Sequence, residues 1–178
     1  FEQEICELML GDEIQHVRVV GEPGIGKTRL ILESLRSNEG LAARCLYVPQ
    51  AGMFQESALY NELLKVDREY LVLLVVDECD ESDRASIWRV LKGRPRLKLI
   101  TIDHGPEQSA DAAMRVLQFP ALEQTQIESI LSSYVGNSGS LSNWAAWCGG
   151  SARVAHAVGE NLKRNPDDLL KPPATVPI

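Results

Sequence analysis

Gly21-Glu22-Pro23-Gly24-Ile25-Gly26-Lys27-Thr28 has the spacing G-x-x-x-x-G-K-[ST], set between the apolar run Val17 to Val20 and a segment with Leu30, Ile31 and Leu35 at helical spacing. Those residue types suit a polyphosphate. Glycines let backbone N–H groups turn inward around β- and γ-phosphates, and a helix starting near Lys27 adds the positive end of its dipole. Lys27 would reach the β/γ oxygens, and the Thr28 hydroxyl would ligate Mg²⁺, a hard cation that takes oxygen ligands. A second signal is Leu71-Val72-Leu73-Leu74-Val75-Val76-Asp77-Glu78, an apolar strand ending in two carboxylates. In a parallel sheet the strand C-termini line the ligand crevice. There Asp77 would hold the magnesium through its water shell, and Glu78 would orient and deprotonate the water that attacks the γ-phosphorus. With no N-K-x-D guanine-reading motif in the chain, the pattern favours ATP over GTP.

The elements that must position these residues follow from periodicity. A helix is predicted over residues 2 to 10 and strands over Val17 to Val20, Cys45 to Val48, Tyr70 to Val76, Leu97 to Ile102 and Arg115 to Phe119. Between them the helical spacing covers the segment from Lys27, residues 56 to 66 and residues 82 to 92, the last behind the charged start Asp80-Glu81-Ser82-Asp83. Strands alternating with helices imply an α/β fold: a five-stranded parallel sheet with right-handed crossovers and helices on both faces. Beyond Pro120 the pattern is wholly helical, over 123 to 135, 140 to 148 and 151 to 164, with breaks at Gly136-Asn137-Ser138-Gly139 and Gly149-Gly150. The expected organisation is a core over 1–120, a helical lid over 121–170 and a linker over 171–178 to a further domain of a longer polypeptide.

Bulk properties narrow the function classes. A formal net charge of −7 argues against a broad nucleic-acid surface, and no apolar run is long enough for a membrane helix. Cys6, Cys45, Cys79 and Cys148 lack zinc spacing and are read as reduced, in a cytoplasmic protein. His16 and His156 lack partners at metal spacing, and Trp144 and Trp147 read as lid core.

The run from Val19 to Leu30 with Asp77-Glu78 and a helical lid resembles the AAA+ and STAND (signal-transduction) families of P-loop NTPases, including NB-ARC-type switches. In those families the two motifs are Walker A and Walker B. The resemblance covers nearly the whole chain and implies the strand order 5-1-4-3-2. It implies a nucleotide site of Gly21, Glu22, Pro23, Gly24, Ile25, Gly26, Lys27, Thr28 and Arg29, with Thr28 and Asp77 on magnesium and Lys27 and Glu78 catalytic. Asp103 and His104 fall where these families carry a residue reading the γ-phosphate; Asp103 departs from the usual Asn or Arg, Thr101 or His104 are substitutes, and an ordinary strand exit is the plain alternative. Gly150-Ser151-Ala152-Arg153 is similar to the sensor-2 motif, with Arg153 on the nucleotide; a Ser-capped helix bearing a solvated Arg153 is the other reading. Arg84, Arg89 and Arg94 are the candidates for an arginine supplied to a neighbouring subunit.

The resemblance implies an ATP-binding and ATP-hydrolysing, Mg²⁺-dependent switch in a larger STAND-like signalling or defence protein, with flanking sensor and effector domains, homo-oligomeric when activated. Its rivals are a mechanical AAA+ ring and a scaffold holding ADP as a structural ligand.

Overall fold

The computed structural model describes residues 1–65, 70–94, 96–105 and 113–176. Packing divides the chain into two compact units, one of Phe1–Gly21 with Lys27–Phe119 and one of Glu22–Gly26 with Pro120–Ile178.

In the first unit five strands, β1 (His16–Val20), β2 (Cys45–Val48), β3 (Val72–Val76), β4 (Leu97–Asp103) and β5 (Met114–Gln118), form one sheet in the order β2-β3-β4-β1-β5. Every pairing is parallel. This is the expected order read from the opposite edge. β1 is buried along its whole length and β3 at four of five positions, as strands covered on both faces must be, and their apolar runs reflect that. The helices of this unit are α1 (Glu2–Leu10), α2 (Lys27–Arg36), α3 (Glu39–Ala42), α4 (Ala51–Gln55), α5 (Ala58–Leu63) and α6 (Glu81–Leu91). Asp80 caps α6 by accepting from the Asp83 N–H.

The helix expected over 56 to 66 is a shorter one, α5 over Ala58–Leu63, and α4 (Ala51–Gln55), which precedes that stretch, went unforeseen. Ser57 sets the start of α5: its hydroxyl accepts from the Tyr60 N–H. Val66, the end of that expectation, lies outside the described residues. β3 begins at Val72, two residues later than expected, because the Tyr70 hydroxyl turns to Glu62 and Leu71 is 58% exposed. The short α3 went unforeseen; Asn38 caps it from the Leu41 N–H.

The second unit contains α7 (Gln124–Val135), α8 (Leu141–Trp147) and α9 (Ala152–Arg164). Its core holds Ile127, Leu131, Leu141, Trp144, Ala155, Val158 and Leu162. Trp144 is buried, whereas Trp147 is 44% exposed and only Trp144 fills the expected core role. Val176 packs into the same core, so the stretch expected as linker is part of this unit that far; Pro177 and Ile178 lie outside the described residues.

Candidate functional site

The C-terminal ends of β1, β3 and β4 bring Gly21, Asp77-Glu78 and Asp103-His104 to one edge of the sheet, and α2 starts there at Lys27. Lys27 is 5% exposed despite its charge. Its Nζ donates to the Gly21 carbonyl at 2.7 Å and lies 3.2 Å from His104 Nδ1. That same Nδ1 is 3.3 Å from the Gly21 oxygen. A bare Nδ1 accepts from Lys27 and a protonated one donates to Gly21, so the two His104 contacts exclude each other. Sequence order alone gave no sign of this pairing.

Thr28 Oγ1 donates to Asp77 Oδ2 at 2.5 Å, joining the start of α2 to the end of β3. Tyr47 on β2 donates its hydroxyl to the same oxygen at 3.2 Å, and the Glu78 N–H donates to Asp77 Oδ1 at 2.9 Å. Tyr47 was missed by sequence reasoning. It lies opposite Val75 in the β2–β3 register, two residues short of Asp77, and that register is not visible in one dimension. Burial, then the neighbouring Asp77 charge and hydrogen bond, push the Tyr47 hydroxyl above its ordinary pKa, so it is a firm proton donor here. An all-oxygen pair of hydroxyl and carboxylate fits Mg²⁺, which takes few protein ligands and completes its shell with water and phosphate. No cluster of three or more His, Cys, Asp or Glu able to hold a metal occurs among the described residues. Glu78 is exposed and has φ 45°, the left-handed region, which costs a non-glycine residue roughly 1–2 kcal/mol. Strain of this kind persists only where the surroundings hold it, here the Asp77 carboxylate below and the capped α6 beyond.

Asp103 is 5% exposed and its carboxylate is saturated. Arg18 Nε and Nη2 bind it in a fork at 2.8 Å each, Arg84 Nη1 adds a third bond at 2.8 Å, and the Gly105 N–H a fourth at 2.8 Å. Burial alone would raise the carboxyl's pKa, but the Arg18 hydrogen bond, the Gly105 amide and the charges of Arg18 and Arg84 outweigh it and hold the group below the usual carboxylate range. The depressed pKa means stability is present above the unfolded-state value, about 3.9, and is lost as pH falls through the lower folded-state value. Between pH 7 and pH 3 the wild type is therefore expected to lose more stability than Asp103→Asn, which has no such carboxylate to protonate; urea midpoints across that range measure the difference. Arg84 is thereby removed from the candidates for a neighbouring subunit: it is buried and ion-paired within the chain. Arg94 also turns inward, donating to the Leu63 and Leu64 carbonyls. Arg29 is solvated, its side chain 79% exposed and paired with Glu33 one turn on.

Beside Glu78 a cleft of about 430 Å³ is lined by Arg18, Cys79, Asp80, Glu81, Arg84, Asp103, His104 and Gly105. Burial pushes the Cys79 thiol to about 12, so it is a packing residue and no nucleophile.

Within the second unit, residues 22–26 pack with α9. The Arg153 N–H donates to the Gly24 carbonyl at 2.8 Å, and Ser151 caps α9 by accepting from the Val154 N–H. Arg153 itself is exposed, and Ile25 is buried at 4%. Gly24 has φ +79°, and a Cβ there would come within 2.7 Å of Arg153 Cβ. Gly24→Ala is accordingly expected to weaken ATP binding by about tenfold or more, because both the left-handed backbone and the loop's seat on α9 resist a side chain. Gly52→Ala, where nothing lies within 4 Å, is the control expected to bind as wild type. Titration calorimetry of the two variants checks this.

No family model matches the sequence, and no curated protein matches it. Solved structures do. Drosophila ORC bound to DNA superposes with a TM-score of 0.63 at 16% identity, over 93% of this chain and 54% of the ORC chain. Trip13 from Rhizobiales gives a TM-score of 0.51 at 16% identity, over 97% of this chain and 77% of that one. The chain thus spans about half the length of the ORC chain it matches, and at these identities the likeness is one of fold.

Proposed function

We propose that this chain is an ATP-binding and Mg²⁺-dependent ATP-hydrolysing module of a larger STAND-like signalling or defence protein. The observation that carries the reading is the junction of Thr28 with Asp77 at 2.5 Å, directly after the glycine loop and directly before Glu78. Loop amides and Lys27 hold the β- and γ-phosphates, Thr28 and Asp77 hold the metal, and Glu78 takes a proton from the attacking water. The water oxygen bonds to the γ-phosphorus as the bridging bond to the β-phosphate breaks, leaving ADP and inorganic phosphate. Mg²⁺ held by Thr28 and Asp77 would supply positive charge against the phosphate oxygens. His104 reads the γ-phosphate through its place beside Lys27, and Arg153 reaches the nucleotide from the first turn of α9. The module works in the cytoplasm between flanking sensor and effector domains and assembles with copies of itself when activated. No helix among the described residues is long and apolar enough to cross a membrane.

A second reading, a mechanical AAA+ ATPase working as a ring, is favoured by one observation: the ORC and Trip13 structures that share this fold are AAA+ ATPases. ORC is described bound to DNA; the net charge of −7 here argues against the same role for this chain. The two readings separate by turnover and assembly. The full polypeptide is titrated with ATP, ADP and GTP with and without Mg²⁺, and its mass is followed by analytical ultracentrifugation while phosphate release is recorded. A switch stays bound with slow turnover until triggered, whereas a ring assembles on ATP alone and turns over continuously. Failure to bind any of the three nucleotides contradicts both.

A further inference from the structure

We infer that Arg84 and Arg18 are positioning residues for the ATPase site, acting through Asp103 on the two segments that carry Glu78 and His104. The inference rests on the ATPase reading above. Arg18 occupies a position where buried strands ordinarily carry apolar side chains. Arg18 sits in the middle of β1, flanked by β4 and β5, with Val17, Val19 and Val20 as neighbours, and is 3% exposed. An apolar side chain there would avoid the desolvation of a guanidinium, and exchanging a buried ion pair for apolar packing is often neutral or stabilising. Stability is therefore a poor account of the cluster, and its geometry supplies a better one.

The fork from Arg18 clamps the last residue of β4 to β1, and the bond from Arg84 reaches the same carboxylate from the first turn of α6. Together with the Gly105 N–H these four bonds leave Asp103 little room to accept from or approach a ligand, so it acts through its neighbours. One neighbour is His104, the next residue, which lies against Lys27. The other is the turn from Asp77 to Asp80 that joins β3 to α6. The Cys79 N–H donates to the Ile102 carbonyl at 3.1 Å, and Arg84 ties α6 to Asp103, so the chain directly after the strained Glu78 is fastened to β4 at two points. Catalytic geometry must be fixed to within a fraction of an ångström, and locked neighbours supply that.

Arg84→Met is the discriminating variant, because it leaves Arg18 and Asp103 as a charge-balanced pair with both of its bonds and so preserves folding. Arg84→Lys is the conservative partner. ATP affinity by calorimetry, kcat and KM by phosphate release, and amide hydrogen exchange are measured on both and on the wild type. Expected for Arg84→Met are ATP affinity within about threefold of wild type and a kcat lower by about tenfold or more. Exchange is expected to speed up at 77–81 and 103–105 while β1 and α9 keep their protection. Arg84→Lys recovers part of the rate. Unchanged kcat overturns the inference, whether or not exchange or melting temperature moves. So does a loss of rate with uniform loosening of the whole chain, which marks a purely structural role. A wild type that neither binds ATP nor releases phosphate removes the ATPase reading and the inference together. The exchange data then still report whether the clamp exists.

Discussion

Replacing Glu78 with Gln is expected to leave ATP bound and to lower phosphate release by about a hundredfold or more. Gln has the shape of Glu and its hydrogen-bond reach but takes no proton from water. The bond that Glu78 makes to Asp77 comes from its backbone N–H, so the substitution leaves Asp77, Thr28 and Tyr47 arranged as they are. The left-handed backbone at this residue is equally strained for Gln, so the turn into α6 has no new reason to move. Affinity and chemistry thus separate cleanly in this variant: kcat falls and the calorimetric dissociation constant for ATP holds. Turnover equal to wild type removes Glu78 from its assigned role and favours a scaffold that keeps nucleotide as a structural ligand.

Lys27→Ala carries the other large effect, a loss of ATP affinity of about a hundredfold or more, enough to abolish a measurable calorimetric signal. The ammonium is the cation at the start of α2, it is 95% shielded by its surroundings (5% exposed), and it already sits on the Gly21 carbonyl at the loop's entrance. A charge-assisted bond to phosphate in so sheltered a place is worth far more than one at an open surface. Removal also leaves the Gly21 oxygen without this donor, though His104 Nδ1 at 3.3 Å is placed to replace it, so the fold should survive. Circular dichroism melting of the variant beside its ATP titration separates lost binding from lost structure. Equal ATP affinity in variant and wild type removes the phosphate-loop reading.

Much of the scaffold is legible in one dimension because it rests on strong local signals. The run Val72 to Val76 is apolar at every position, as a strand covered on both faces requires, and the glycine loop between Val20 and Leu30 is punctuated by residues with few other uses. The strand order came from resemblance to families sharing those motifs, and the sheet has it. The rest depends on contacts between residues distant in sequence. Asp103 was placed at the site by its position after β4, yet its partners Arg18 and Arg84 lie in β1 and α6, and only the β1–β4 register, with Val20 opposite Asp103, brings the first of them into reach. His104 beside Lys27 and Tyr47 beside Asp77 are hidden for the same reason. Where local reading overran, at residues 56 to 66, the Ser57 cap starts the helix at Ala58 and it ends at Leu63.

On this reading the loop from Gly21 to Thr28 holds a polyphosphate. Its most direct test is a crystal structure of the protein with a non-hydrolysable ATP analogue and Mg²⁺. The expected map shows the β- and γ-phosphates on the backbone N–H groups of the loop, with Lys27 Nζ against their oxygens and the metal between Thr28 and Asp77. Density for the analogue at another place on the chain, with Lys27 still on the Gly21 carbonyl and Thr28 still on Asp77, contradicts it.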